Sequence, residues 1–200
     1  SILCSYTDSV KKLDVIRQGK PLTLTVHLQS QYIPTKDKEQ DVTWKKLSSK
    51  VGYIDVRSML DGVDKQFSKA FASLSRLPFL IVDIRNNGGG SSSVGDFIAQ
   101  HLIKGKRTIW DGTTLSPSPD SYKGKVIVLA GPVTVSAAES FLITMKESGD
   151  AIVVGTPSAG DTGGNPRLFK TTYGMYYWVP IGHPFKYSPK GFPLEGEGIK

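Results

Sequence analysis

The chain has 200 residues and a formal net charge of +7, and 38% of its residues are hydrophobic while 22% are charged. This composition is typical of a globular protein with a sizeable core, and no apolar run approaches the ~18 residues that a membrane span needs. The basic residues are dispersed among acidic ones, which argues against nucleic acid as a partner. The single cysteine, Cys4, excludes an internal disulfide, and with the three histidines it forms no metal-binding spacing. Neither a metal nor a cofactor is therefore expected.

The first part of the chain is predicted to hold a hairpin and a linker. Leu13 and Val15 before the turn "RQGKP", and the apolar residues of "LTLTVHL" after it, alternate with polar residues. The next stretch, "QSQYIPTKDKEQDV", is polar and contains a proline, as linkers do. A hairpin of ~20 residues is too small to fold alone. We therefore expect residues 1–30 to be the C-terminal part of a domain, followed by a linker over residues 31–45.

Strands and helices alternate from Lys46 onwards. "VGYIDV" predicts a short strand, and "FLIVDI", "KVIVLA" and "AIVVGT" predict three strands buried on both faces of a sheet. Helices are predicted for "MLDGVDKQFSKAFASL", whose apolar residues recur at helical spacing, and for "SVGDFIAQHLIK" and "AAESFLITMKES". This order predicts an α/β core over residues 46–200 with a mainly parallel central sheet. Near the end, "PRLFKTTYGMYYWVPIG" predicts a hairpin around Tyr173 and Gly174.

Two junctions that each follow a predicted buried strand are candidates for chemistry. The first is "DIRNNGGGSSSVGDF", in which consecutive glycines expose backbone N–H groups and, with the next helix, can form a nest for an anion. A flexible turn is the alternative interpretation. Asp83 and Arg85, just before the glycines, are interpreted as a charged pair that closes the strand end.

The second junction, "GPVTVSAAES", places Ser136 at the start of a predicted helix. There the positive end of the helix dipole favours a developing oxyanion, to which the N–H of Ala137 can donate. The alternative is structural, because serine is a favoured N-cap and "SAAE" fits the capping box. This motif alone is compatible with Ser136 as a nucleophile and with Ser136 as a helix cap.

Taken together, the two junctions resemble the C-terminal processing peptidases, a family of serine peptidases. The resemblance rests on "LIVDIRNNGGG", on "VIVLAGPVTVSAAESFLITMKESGDAIVVGTPSAGDTGGNP" and on the closing "GFPLEGEGIK", and it covers residues 51–200. It implies a crotonase-like α/β core in which Ser136 is the nucleophile. It also implies an oxyanion hole formed by the amides of Ala137 and of Gly88 or Gly89. The hairpin at 11–29 resembles the last strands of the PDZ domain that such proteins insert into their core.

The sequence departs from the best-known branch of this family at the catalytic base. That branch has a lysine twenty-five residues after the serine, where this chain has Asp161. "GTPSAGDTGGNP" instead resembles the tricorn-type and retinoid-binding-protein-like branch, which implies a histidine base located before the PDZ domain and hence before Ser1. The same branch implies an assisting glutamate, matched best by Glu195 and less well by Glu197. His27 and His101 are interpreted as structural, and His183 as a weak site candidate.

The sequence therefore predicts a serine endopeptidase, or the core fragment of one, that cleaves extended or unfolded polypeptides through an acyl-enzyme on Ser136. The alternatives are a binding module for peptides or apolar ligands that has lost its base and, less favoured, an acyl-CoA enzyme of the crotonase type. The resemblance implies a periplasmic or envelope location. Nothing in the sequence indicates an oligomeric state.

Overall fold

The structure, a computed structural model, describes residues 10–27, 40–164, 166–172, 174–182 and 186–200. Contacts divide the chain into two compact units. One comprises residues 1–39 and 165–181, and the other comprises residues 40–164 and 182–200. No helix among the described residues is long and apolar enough to cross a membrane.

A five-stranded sheet forms the centre of the second unit, with strand order β3-β4-β5-β8-β9. Its strands are β3 (Val42–Lys46), β4 (Val51–Val56), β5 (Phe79–Asp83), β8 (Lys125–Ala130) and β9 (Ala151–Gly155). β3 runs antiparallel to β4, whereas all the other neighbours are parallel. Two short strands, β6 (Arg107–Thr108) and β7 (Thr114–Leu115), form a separate antiparallel pair. The predicted α/β class with a mainly parallel sheet is confirmed.

Three helices supply most of the remaining core of this unit. They are α1 (Val63–Leu74), α2 (Ser92–Leu102) and α3 (Ala137–Ser148). Ile54, Val82 and Val128 lie in register on one face of the sheet and are 0% exposed. They form one hydrophobic cluster with apolar side chains of all three helices. The predicted apolar stripe of α1 faces this cluster, because its four residues at helical spacing are all buried.

Two details of the sheet differ from the sequence-based expectation. β3 occupies residues assigned to the linker, and most of that stretch, residues 31–39, lies outside the described residues. β9 lies at the edge of the sheet rather than inside it. Ala151 and Val153 pack against the core, while Ile152 and Val154 are 60% and 49% exposed. Successive side chains of a strand point to opposite faces of the sheet, and the core covers only one face of β9. The unbroken apolar run therefore did not reveal its edge position.

The first unit contains two antiparallel hairpins. β1 (Val10–Arg17) pairs with β2 (Lys20–His27), and β10 (Pro166–Lys170) pairs with β11 (Tyr176–Pro180). Both hairpins were predicted from sequence. The β1-β2 turn contains Gln18 and Gly19, both with positive φ, as a two-residue hairpin loop requires. Assignment of β1 and β2 to a PDZ domain stays a prediction.

Candidate active site

The two predicted junctions meet at the carboxyl ends of neighbouring strands. β5 and β8 are parallel and adjacent, so the chain leaves both strands at the same edge of the sheet. There Gly89 lies directly against Ser136. A Cβ at position 89 would be 2.8 Å from the Ser136 Cβ and 3.2 Å from the Ala137 nitrogen. The predicted proximity of Ser136 to the glycine run is thus present in the structure.

The glycine run is a fixed segment, which argues against the interpretation as a flexible turn. The Met59 amide donates to the carbonyl oxygen of Gly89 at 2.8 Å, and the Ser91 amide donates to the carbonyl oxygen of Met59 at 2.8 Å. Gly90 has a φ of 143°, and a Cβ there would lie 2.5 Å from the backbone of Met59. Glycine is required at this position because the two backbones approach so closely.

Asn87 joins the two junctions, and sequence reasoning missed it. It is 0% exposed and donates through Nδ2 to the Val56 carbonyl oxygen at 3.0 Å. Its Oδ1 accepts from the Gly89 amide at 2.9 Å, and its own carbonyl oxygen accepts from the Val135 amide at 3.2 Å. A buried amide side chain with its hydrogen bonds satisfied holds a loop in one conformation. Asparagine in "RNNGGG" reads as an ordinary turn residue, so the sequence carried no signal for this role.

These contacts distinguish among the predicted oxyanion donors. The Gly89 amide is occupied by Asn87. The amides of Gly88 and Ala137 have no hydrogen-bond partner among the described residues. Ala137 is the first residue of α3, where backbone N–H groups lack partners within the helix. Gly88 is exposed, and a Cβ there would meet nothing within 4 Å. Among the predicted donors, the N–H groups of Gly88 and Ala137 are therefore those that no described residue occupies.

Ser136 has an unusual backbone conformation, with φ 60° and ψ −125°. Among the described residues, the only other non-glycine residue with positive φ is Gln18. Such a conformation costs about 1–3 kcal/mol and persists only where the surroundings impose it. Ser136 is half-buried and is the N-cap of α3. It therefore occupies the position that the cap interpretation predicts and also lies beside the glycine run that the nucleophile interpretation requires.

Glu139 connects the start of α3 to a second loop. Its side chain is buried, at 1% exposure, and its carboxylate accepts four hydrogen bonds. Oε2 accepts from the amides of Ser136 at 3.1 Å and Asp161 at 3.0 Å. Oε1 accepts from the hydroxyl of Ser158 and the amide of Gly160, both at 2.7 Å. Sequence analysis treated this glutamate only as part of the capping box, because the loop it holds is about twenty residues further along the chain.

Glu195, the predicted assisting glutamate, is hydrogen-bonded to the end of this second loop. Its Oε2 accepts from the Thr162 amide at 2.8 Å and from the Thr162 hydroxyl. The Gly196 amide donates to the Gly160 carbonyl oxygen at 2.7 Å. Glu197, the weaker candidate, forms an ion pair with Lys200 at 3.8 Å. The loop at 158–162 therefore connects Glu195 with the helix start that carries Ser136.

Asp161 stands where the better-known branch has its lysine, and the structure places its backbone against Ser136. The Ser136 amide donates to the Asp161 carbonyl oxygen at 3.1 Å. The Asp161 side chain is exposed and makes no hydrogen bond or ion pair with any described residue. Position 161 therefore lies beside the candidate nucleophile even though it holds no lysine.

His101 is the only histidine whose side chain is described, and it does not lie in a position to act as the base for Ser136. His101 is buried on α2, where its Nδ1 lies 2.8 Å from the Phe97 carbonyl oxygen and its ring packs between Phe67, Phe71 and Phe97. His183 lies outside the described residues, as does the side chain of His27.

Asp83 and Arg85 form the predicted charged pair at the end of β5. The Arg85 Nη2 lies 2.7 Å from the Asp83 Oδ2, and the Arg85 amide donates to Oδ1 at 3.0 Å. The Tyr53 hydroxyl also donates to Oδ2 at 2.7 Å. Burial opposes ionisation, yet the hydrogen bonds from Arg85 and Tyr53 and the charge of Arg85 lower the pKa of Asp83 below its usual value. Burial, with the Asp83 carboxylate beside it, raises the pKa of Tyr53 to about 12.

Known proteins are similar to this chain in sequence and in fold. Residues 50–200 match Peptidase family S41. The chain is 30% identical over 157 residues to the tricorn protease of Thermoplasma acidophilum, covering 74% of this chain and 14% of that protein. It is 25% identical over 160 residues to the tail-specific protease of Haemophilus influenzae, covering 74% of this chain and 23% of that protein. The chain thus spans less than a quarter of the length of these curated relatives.

A solved structure extends the likeness to the fold. The photosystem II D1 C-terminal processing protease superposes with a TM-score of 0.67 at 21% identity, over 90% of this chain and 50% of that one. At this identity the likeness concerns the α/β architecture with its mostly parallel sheet.

Proposed function

Because the chain belongs to peptidase family S41, we propose that it forms the core of a serine peptidase in which Ser136 is the nucleophile. The observation that supports this most directly is the contact between the two junctions. Gly89 lies against Ser136 and Ala137, and the N–H groups of Ala137 and of the neighbouring Gly88 have no partner among the described residues. Two N–H donors beside a serine are the arrangement that stabilises the anion of an acyl transfer.

The reaction proceeds in two steps. The Ser136 Oγ attacks the scissile carbonyl carbon and passes its proton to a base, and the carbonyl oxygen becomes an oxyanion held by the amides of Gly88 and Ala137. The base returns the proton to the leaving amine as the peptide bond breaks, which leaves an acyl-enzyme. Water, deprotonated by the same base, then attacks the ester, so that the carboxylic acid product leaves and Ser136 regains its proton.

The base is the component that the described residues do not supply. The resemblance to the tricorn-type branch favours a histidine outside these residues. Glu195 is the assisting residue. It is hydrogen-bonded through Thr162 to the loop that contacts Ser136. In this proposal Glu195 orients the base or stabilises its protonated form, without touching the scissile bond.

The substrate in this proposal is an extended or unfolded polypeptide, since the chain's relatives include proteins named tail-specific protease and tricorn protease. We assign β1 and β2 to the end of a PDZ-like domain, which captures a C-terminal carboxylate by adding a strand to a sheet edge. A periplasmic or envelope location fits such a substrate and the tail-specific relative.

A fluorophosphonate probe tests this proposal in the full natural chain. The wild type should be labelled and should cleave an unstructured polypeptide, while Ser136→Ala should do neither. Ser140→Ala is the matched control, because it removes a hydroxyl one turn later on the same helix and should keep both activities. Equal labelling of the wild type and Ser136→Ala would contradict the proposal, as would an inert wild type.

A further inference from the structure

We propose that Glu139 is a positioning residue for the nucleophile Ser136. This inference rests on the proposed function and extends it. The carboxylate of Glu139 holds the Ser136 amide and the loop at 158–162 at the same time. It thereby sets the direction of the Ser136 side chain and the distance from Ser136 to the loop that binds Glu195. Glu139 touches neither substrate nor reacting atoms in this assignment.

The first argument is that Ser136 needs an external restraint. Its φ of 60° is unfavourable for any residue with a side chain. The Ser136 amide is shared between Glu139 Oε2 and the Asp161 carbonyl oxygen, both at 3.1 Å. Rotation of Ser136 toward an ordinary conformation would turn this N–H away from both acceptors. Glu139 therefore penalises the relaxed conformation, in which the hydroxyl would point elsewhere.

The second argument is that a carboxylate is the group this site requires. All four of its hydrogen bonds are received from N–H or O–H donors. A carboxylate has acceptor sites on both oxygens, whereas an amide side chain has one acceptor oxygen and one donor nitrogen. A glutamine here would direct an N–H toward backbone N–H groups on one side. A helix cap alone needs a single acceptor, so the remaining three contacts exceed what capping requires.

The third argument is that the same carboxylate reaches the assisting glutamate through one short loop. Ser158, which donates to Glu139, also accepts from the Ile199 amide at 2.7 Å. Gly160, which donates to the same oxygen, accepts from the Gly196 amide. The segment that follows Glu195 is thus held to the loop at two points, Gly196 and Ile199. A shift of the Glu139 carboxylate would therefore change the position of Glu195 relative to Ser136.

The test compares Glu139→Gln with Ile143→Val in the full natural chain. Ile143 is an apolar side chain buried one turn further along α3, and the proposal assigns it no role, so its variant reports the effect of mild destabilisation. We expect Glu139→Gln to lower kcat and the rate of fluorophosphonate labelling by about tenfold to 100-fold, with KM changed by less than about threefold. Ile143→Val should retain wild-type rates well below its melting temperature.

Amide hydrogen exchange provides a readout independent of activity. In Glu139→Gln, exchange should accelerate at Ser136, Gly160 and Asp161, which donate to the carboxylate, while the β5 amides stay protected. Wild-type rates in Glu139→Gln would overturn the inference and leave the proposed function standing. A fall of equal size in Ile143→Val would also overturn it, because general destabilisation would then explain the loss. A wild-type protein that neither cleaves nor labels would overturn both the positioning role of Glu139 and the proposed function. This outcome is distinguishable from the others because the unmutated protein itself fails to react with the probe.

Discussion

The Ser136 amide donates to the Asp161 carbonyl oxygen at 3.1 Å, although the two residues are twenty-five positions apart. Asp161 thereby lies where a lysine serves as base in the better-known branch of the family. The contact runs through the backbone, so it is independent of the side chain at position 161.

Asp161→Asn in the full natural chain should keep peptidase activity within about threefold of wild type, because a carboxylate is a weak base toward a serine hydroxyl. Asparagine preserves the backbone contacts with Ser136 and Glu139. The measurement is kcat/KM on an unstructured polypeptide. Loss of hydrolysis with an unchanged fold would mean that Asp161 is the base.

Gly89→Ala should abolish activity, since its Cβ would lie 2.8 Å from both the Ser136 Cβ and the Val135 carbonyl oxygen. Gly112→Ala is the matched control. Its φ of 83° is close to the 85° of Gly89, but a Cβ there meets nothing within 4 Å. The control should lose only the about 1–2 kcal/mol that a side chain costs at positive φ, measured by chemical denaturation. Similar activity in the two variants would show that the close approach to Ser136 is unimportant.

Glu195→Gln should lower kcat/KM by about tenfold, equivalent to roughly 1.4 kcal/mol of transition-state stabilisation. The variant keeps an oxygen for Thr162 but removes the negative charge that the proposal assigns to this position. Glu197→Gln is the control, because Glu197 is exposed and pairs only with Lys200 among the described residues. Should Glu197→Gln cause the larger loss, the assisting role would pass to that residue.

Asp83→Asn should destabilise the fold at neutral pH by about 1–3 kcal/mol, because it weakens the contacts with Arg85 and Tyr53 at a buried position. The pKa of Asp83 is lower in the folded protein than its ordinary value. Its ionised form therefore stabilises the fold above about pH 4, and this contribution is lost as the pH falls through the folded-state pKa.

The difference in unfolding free energy between wild type and Asp83→Asn should accordingly shrink as the pH drops below about 4. Denaturation at several pH values measures it. Asp61→Asn, at an exposed carboxylate without a hydrogen bond to any described residue, is the control variant measured at the same pH values. A constant difference across the pH range would mean that the Asp83 charge does not contribute.

The 200-residue chain by itself should react slowly with a fluorophosphonate, because the resemblance implies a histidine base ahead of β1 and β2. The oxyanion donors alone leave about 10³–10⁴-fold catalysis over water when a triad member is missing, which is hard to detect in a peptide-cleavage assay. Labelling rates of this chain and of the full natural chain measure the difference. Fast, Ser136-dependent labelling of the 200 residues would direct attention to His183.

The amino-acid sequence alone determined the architecture and the neighbourhood of the site. Alternating apolar strands and amphipathic helices predicted the α/β class, since burial of apolar surface dictates those periodicities locally. The resemblance carried by "DIRNNGGG" and "VSAAES" implied that the glycine run and Ser136 lie together, and the structure shows Gly89 against Ser136. The charged pair of Asp83 and Arg85 was also predictable, being two residues apart.

Only the tertiary structure decided which hydrogen-bonding groups at the candidate site have partners and which have none among the described residues. The Gly89 amide donates to Asn87, whereas the Gly88 amide has no partner among the described residues, and this depends on a side chain anchored to Val56 from another strand. The sequence pattern identified Glu139 only as part of a helix cap, whereas the structure shows that it also binds the loop at 158–161. The edge position of β9 was equally invisible, because strand order depends on which elements pack together. Each of these outcomes rests on contacts between residues distant in sequence, whose partners no local pattern encodes.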